Sequence, residues 1–398
     1  MPEQDGPLSG IRVVEIGTLI AAPFASRILG EFGADVIKIE SREGDPLRKW
    51  RKMRGDTSLW WYVQSRNKRL MTVDLKSPEG QRIVRKLLAT ADVLVENYRP
   101  GALEKLGLGW EQLHEISPKL IMVRISGYGQ TGPLRGKPGF GAIGEAMGGI
   151  RYTTGSPDQP PSRTGISIGD SLASLHAVIG ALMALLHVKT KNGNGQVVDV
   201  SLVESVFNVM ESIVPEFDQL GHVRERTGGK LPGICPSNTY QTSDDAWIVI
   251  AGNSDAIFKR LMIAIGRSDL ADDARLKSND VRVLHEDEID AAIASWSRTR
   301  TLTNALALLD QADVPAGRIY SAADIVTDPH YLARDMILTA TLPDGGEIKV
   351  PGVLPKLSET PGAMNWLGRE LGADTHDILG ELGYSSNDIA QLQASKTI

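Results

Sequence analysis

The sequence predicts an α/β protein with a twisted, mostly parallel sheet covered by helices on both faces, followed by a second, smaller domain. Three observations carry this reading. Runs of β-branched apolar residues alternate with helical patterns through the first part of the chain, which is the rhythm of βαβ units. Parallel strands need crossover connections, and helices supply them. The organisation then changes at a Gly- and Pro-containing stretch, Thr227 to Pro236, and a chain of 398 residues is long enough for two or three domains.

In chain order, Ile11 to Ile16 is read as a strand, Ala22 to Phe32 as a helix and Val36 to Ile39 as the next strand. Leu70 to Leu75 is a strand, Ser77 and Pro78 mark a helix start, and Ile83 to Leu88 carry helical periodicity. Val93 to Val95 and Leu120 to Ile125 continue the strands, and Ser171 to Val188 is a long apolar helix. Gly193 and Gly195 make a turn before strand Val197 to Val200 and a helical segment Ser201 to Met210. Beyond the boundary come strand Trp247 to Ala251 and helices Ile257 to Ile265 and Ile289 to Trp296. A third shift near Tyr331 to Met336 precedes strand-like Ile348 to Val350 and terminal helices around Ile378 and Leu392. The expected domain stretches are residues 1–210, 225–330 and 335–398, without internal repeats or low-complexity tracts.

Composition excludes several classes. With 41% hydrophobic and 23% charged residues, the chain lies far from the disordered corner. Its net charge of −6 disfavours a general nucleic-acid binder, whose affinity comes from neutralising phosphates. The single cysteine, Cys235, permits neither an intramolecular disulfide nor a thiolate-rich metal site, so a reduced, cytoplasmic setting is expected. Met1 to Gly10 carries Glu3 and Asp5 and reads as a short tail, not a signal peptide. Ser171 to Val188 lacks charges and just reaches spanning length, yet its two serines, two histidines and isolation favour a buried core helix over a membrane span.

Among candidate motifs, Gly127, Gly129 and Gly132 spell GxGxxG after a strand, but Pro133 to Pro138 follow where a helix should receive a pyrophosphate. A glycine-rich turn is the reading. The seven histidines form no HExxH or short-spaced cluster, so no metal site is expected, and no GxSxG elbow supports a serine hydrolase. Basic residues Arg48, Lys49, Arg51, Lys52, Arg54, Arg66, Lys68 and Arg69 are interleaved with Trp50, Trp60, Trp61 and Tyr62. They form either a positive field for an anionic ligand or a solvated face. Asp170, after Gly165 and Gly169 at the start of the long helix, is either a helix cap or a carboxylate nucleophile on a turn that a ligand can approach.

The segments Ala34-Asp35-Val36-Ile37-Lys38-Ile39-Glu40, Asn67-Lys68-Arg69, Glu96-Asn97-Tyr98-Arg99-Pro100-Gly101, Gly127 to Pro133 and Gly169-Asp170 occur in that order. They continue through Gly195 to Leu202, Val314-Pro315-Ala316-Gly317 and Leu379 to Tyr384. Together they resemble the family III CoA-transferases, of the formyl-CoA transferase and carnitine CoA-transferase type, over nearly the whole chain. The resemblance implies an open, mostly parallel, Rossmann-like domain built from both chain ends, a smaller α+β domain, and an interlocked-ring homodimer. It places Asp170 at the catalytic aspartate, and Lys76, Asn97, Tyr98, Arg99, Lys105 and Lys137 at CoA contacts. Gly252 and Asn253 fall on a loop that closes over the acyl intermediate. Ile20 stands where formyl-CoA transferase has a glutamine, which argues against an oxalate-specific enzyme.

The reaction implied is transfer of CoA from an acyl-CoA, expected to be succinyl-CoA, to a short dicarboxylic acid such as itaconate, malate, citramalate or glutarate. A CoA thioester is then a substrate, and no permanently bound cofactor, nucleic acid or membrane partner is implied. Arg151 and Arg163 are candidates to hold the distal carboxylate. The alternatives are a 2-methylacyl-CoA racemase, whose His-Asp pair would lie near Phe140 and Gly141, and a non-catalytic acyl-CoA binding protein. The racemase needs an acid/base partner, and no histidine lies between His114 and His176.

Overall fold

The computed structural model describes residues 6–398, so the first half of the expected tail, residues 1–5, lies outside the described residues. The chain forms two compact units. One runs to Ile150 and resumes over Thr164–Glu211 and His330–Ile398; the other comprises Arg151–Arg163 and Ser212–Pro329. Arg151–Arg163, inside the first expected stretch, thus belongs with the second unit.

The first unit contains β1 (Arg12–Ile16), β2 (Asp35–Glu40), a two-residue hairpin of β3 (Met53–Arg54) and β4 (Thr57–Ser58), β5 (Lys68–Thr72), β6 (Val93–Glu96), β7 (Ile121–Ser126) and β8 (Val197–Ser201). Six of these make one sheet in the order β5-β2-β1-β6-β7-β8, with every neighbouring pair parallel. The chain builds outward from β1 to one edge and returns to build from β6 to the other. The strand order therefore reverses between β1 and β6, the place where open α/β sheets bind ligands beyond their strands' carboxyl ends.

Alternation along these strands fills both faces. Val13, Val36, Val93, Val95, Val123 and Ile125 pack under the helices Ala21–Glu31 and Ile168–Lys191. Val14, Ile37, Ile39, Met71, Leu94 and Met122 pack under Pro78–Leu88, Thr375–Glu381 and Ser386–Ala394. The carboxyl-terminal segment adds no strand to this sheet. It contributes the hairpin β12 (Ile337–Thr341) and β13 (Glu347–Pro351), and it caps the edge strand β5: Leu70 N–H donates to Asp374 (2.8 Å) and Thr72 N–H to Thr375 Oγ1 (3.1 Å). Edge strands left open are sites of unwanted pairing, and this one is closed.

β5 begins two residues before its expected start, because Lys68 and Arg69 are neutralised by carboxylates from other elements and sit inside. The long helix Ile168–Lys191 also departs from expectation. Ala173, Ala177, Ala181 and Ala184 lie buried against the core, while Leu175, Ile179, Leu182, Met183 and Leu186 face outward. Small residues on the inner face allow a close approach to the sheet, which leaves the larger side chains outside. By length and composition the helix could cross a membrane, but 44% of its most apolar stretch is buried within this chain.

The second unit holds an antiparallel sheet of β9 (Ser237–Gln241), β10 (Trp247–Ala251) and β11 (Ala316–Arg318) in the order β11-β10-β9. Its own core gathers Tyr240, Ile248, Ile250, Phe258, Leu261, Ile289, Ile293 and Leu309. An α/β unit with a six-stranded parallel sheet and smaller antiparallel sheets is thus present.

Candidate active site

The glycine-rich stretch after β7 folds back on itself, since a Cβ at Gly127 would lie 2.9 Å from Gly139 Cα. Gly129 and Gly132 have φ values of +86° and +78°, and Asp199 accepts the Gln130 N–H at 2.9 Å. This is the glycine turn expected, and it delivers the chain to Phe140 and Gly141 at the start of the helix Gly141–Met147.

There it meets the nucleophile candidate. Asp170 lies in the first turn of Ile168–Lys191 and is partly exposed. The N-cap of that helix is Ser167, so Asp170 sits inside the first turn and not at the N-cap itself. A Cβ added to Gly141 would lie 2.0 Å from Asp170 Oδ2, and one added to Gly169 would lie 2.9 Å from Gly141 O. Two glycines thus allow the two helix starts to touch beside the carboxylate. Ser174, one turn on, donates from its hydroxyl toward both Asp170 O (2.7 Å) and Ala21 O (2.8 Å), tying this turn to the segment after β1.

The other expected contacts within this unit lie beyond the carboxyl ends of the strands. Lys76 follows β5, Asn97, Tyr98 and Arg99 follow β6 directly with Lys105 one short helix later, and Lys137 follows β7. Lys76, Arg99, Lys105 and Lys137 are exposed. Asn97 is different: its Oδ1 accepts Thr18 N–H and its Nδ2 donates to Thr18 O, both at 2.9 Å. Tyr98 N–H donates to Glu96 at 2.6 Å, and its ring packs on the sheet core.

A family model described as CoA-transferase family III matches residues 8–375. The chain belongs to this family. It is 49% identical to a succinyl-CoA–D-citramalate CoA-transferase of Chloroflexus aurantiacus, with 98% of each chain covered. It is 34% identical to a succinate–glutarate CoA-transferase of Agrobacterium fabrum, over 96% of this chain and 97% of that one. A CAIB/BAIF family protein from Brucella suis superposes with a TM-score of 0.83 at 32% identity, over 95% of this chain and all of the other.

This family III CoA-transferase carries the remaining expected residues in its second unit. Gly252 is packed too closely for a side chain, since a Cβ would lie 2.7 Å from Leu261 Cδ2, and its N–H donates to Pro236 O at 2.9 Å. Asn253 is exposed, with its carbonyl accepting from Arg282 at 2.6 Å. Arg151 is half-buried and Arg163 exposed.

Several residues of the CoA-transferase escaped sequence reasoning. Arg282 is fully buried and also donates to Cys235 O, Leu276 O and Asp255, so it fastens the base of the Gly252 loop. Gly141 gave no signal because its role depends on a residue 29 positions later. The basic run between Arg48 and Arg69 proves half internal and half exposed. Arg48 forks onto Glu40 and lies over Trp61, Arg66 pairs with Glu31, Lys68 with Glu15, Arg69 with Glu381, and Arg54 with Asp344. Lys49, Arg51, Lys52 and Arg54 are its exposed half, the Arg54 pair with Asp344 lying at the surface.

Burial pushes the Glu15 carboxyl up, but the Lys38 and Lys68 ammonium groups, each at 2.7 Å, outweigh it and hold the group at about 2. Burial raises Glu96 to about 7 against the opposing pull of Arg124 at 2.8 Å. Among the described residues no group of three or more His, Cys, Asp or Glu could hold a metal ion.

Proposed function

We propose that this enzyme moves CoA from succinyl-CoA to a short dicarboxylic acid of the citramalate, malate, itaconate or glutarate type, with Asp170 as nucleophile. The observation that carries the reading is the Asp170 carboxylate at a glycine-lined helix start, beyond the carboxyl ends of a parallel sheet. The named activities of the relatives supply the substrate class.

Asp170 attacks the thioester carbonyl, forming a mixed anhydride and releasing CoA thiolate, a good leaving group. The thiolate attacks the aspartyl carbonyl, giving an aspartyl-CoA thioester and free succinate. The acceptor carboxylate then attacks this thioester, forming a second anhydride and freeing the thiolate. Attack of the thiolate on the acceptor's carbonyl yields the new acyl-CoA and restores Asp170. One thioester replaces another, so no ATP enters. Backbone amides at the start of the long helix are the donors for the oxyanions. Lys76, Lys105 and Lys137 supply positive charge for the CoA phosphates, and Asn97, Tyr98 and Arg99 border the same site. By the resemblance, Gly252 and Asn253 belong to the loop that closes over the intermediate, and Arg151 and Arg163 are the candidates for the distal carboxylate, since a buried unpaired charge is costly.

Phe140 and Gly141 stand where the racemase would need its His-Asp pair, and a side chain at 141 collides with Asp170. This disfavours racemisation. The enzyme works as an interlocked homodimer in the cytoplasm. The outward row of Leu175, Ile179, Leu182, Met183 and Leu186, with Met183 67% exposed, is the surface a second copy covers instead of lipid. The lone cysteine, Cys235, is a free buried thiol, in keeping with a reducing compartment.

The test is incubation with succinyl-CoA and a panel of mono- and dicarboxylic acids, with new CoA thioesters identified by mass. Transfer to dicarboxylates by the wild type, absent in Asp170→Ala, is expected. Deuterium entering the acyl chain from solvent without any acceptor would point to the racemase, and transfer only to monocarboxylates would reject the substrate class.

A further inference from the structure

Between β1 and β6 the sheet order reverses, and the segment Gly17–Ile20 leaves β1 at that point. Four side chains from four places in the chain grip its four consecutive residues. Lys38 of β2 donates to Gly17 O at 2.7 Å. Asn97, just past β6, holds both the N–H and the carbonyl of Thr18. Asp45 accepts Leu19 N–H at 3.1 and 3.2 Å, and Gln64 donates to Ile20 O at 3.0 Å. Three of these side chains are almost wholly buried, and Lys38 also pairs with Asp45 at 2.9 Å.

The grip has a visible consequence. Leu19 has φ +66°, in the left-handed region that a residue with a Cβ avoids unless its surroundings impose it. The next residue, Ile20, caps the helix Ala21–Glu31, and Ala21 O accepts the Ser174 hydroxyl that also reaches Asp170 O. A path of hydrogen bonds and backbone thus runs from Asn97 to Thr18, along the strained segment to Ala21, and through Ser174 to the turn that carries the carboxylate. Both polar atoms of the Asn97 side chain are thus engaged with Thr18.

We infer that Asn97 acts on the acyl-transfer step as a positioning residue: it holds the Gly17–Ile20 segment against the Asp170 turn at the switch point, and this, more than contact with CoA, is its part in the reaction. This deepens the proposed reaction and rests on Asp170 as its nucleophile. A contact to CoA would govern affinity. A strut beside the reacting carboxylate governs turnover, since small displacements of reacting groups carry large rate effects.

The experiment measures kcat and KM for succinyl-CoA with the preferred dicarboxylate, and Kd for free CoA by calorimetry, in full-length wild type, Asn97→Ala and Asn97→Asp. Asn97→Ala should lower kcat by about 10- to 100-fold, with Kd for CoA changing less than about twofold. Asn97→Asp keeps an acceptor for Thr18 N–H and should recover part of the loss. If Asn97→Ala does not fold, Asn97→Asp decides on the same criterion. A tenfold or greater rise in Kd with kcat preserved, or no change in kcat, overturns the inference. Wild-type protein that transfers CoA to no acid removes the reaction itself, and the positioning role falls with it; that failure is read in the wild type and not in the variants.

Discussion

A methyl group at position 141 would lie 2.0 Å from one Asp170 carboxylate oxygen, whereas ordinary van der Waals contact begins near 3.4 Å. Gly141 begins a helix and does not have a positive φ, so alanine suits the backbone there and disturbs only the neighbour. Gly141→Ala should therefore lower kcat at least about tenfold while leaving the melting temperature nearly unchanged. Wild-type turnover in that variant would show that the carboxylate does not act from this position. Glu96 makes a pH prediction. Its folded pKa, raised by burial to about 7, stands above the unbound value of 4.5, so the folded chain holds this proton more tightly than the unfolded one. The stabilisation is complete below pH 4.5 and is lost as pH rises through about 7. Relative to Glu96→Gln, the wild type should lose about 3 kcal/mol of unfolding free energy between those limits. Urea titrations of both proteins across this range check it; a difference that stays flat with pH would refute the shift.

At the scale of elements, the β1, β2 and β5 strands share one buried carboxylate, Glu15, between Lys38 and Lys68. Glu15→Ala leaves two ammonium groups inside without their shared counter-ion, and should cost about 3–5 kcal/mol in urea unfolding. A cost below about 1 kcal/mol would place the pair with exposed salt bridges. These ion pairs also mark where the sequence stopped being readable. Strands such as Ile121–Ser126 and Trp247–Ala251 were legible because β-branched and apolar residues cluster in them. β5 was only half legible, since Lys68 and Arg69 read as surface charge until Glu15 and Glu381, 53 and 312 positions away, are seen beside them. The long helix was legible as a helix but not by its faces: uniform apolarity hides that the alanines point inward while Leu175, Leu182 and Leu186 point outward. Asp170 stood out through its family resemblance, because spacing alone fits a cap equally well. Nothing local marked Gly141, Gln64, Asp45 or Arg282, whose partners are remote.

For the whole molecule, the apolar outer row of the long helix is the surface that a second copy should bury. Sedimentation should find a dimer that persists on dilution, since interlocked rings separate only by unfolding. The pair of changes Met183→Asp and Leu186→Asp, at positions 67% and 63% exposed in the single chain, should abolish folded dimer. A stable, active monomer of either protein would contradict the assembly. The catalytic account depends most on a covalent bond to one side chain, and trapping that bond tests it directly. The protein is incubated with succinyl-CoA, quenched with hydroxylamine and digested, and the peptide bearing position 170 is weighed. The expected result is a hydroxamate on Asp170 that requires succinyl-CoA. Full transfer activity with no modification at Asp170, or with modification at another carboxylate, would contradict the mechanism.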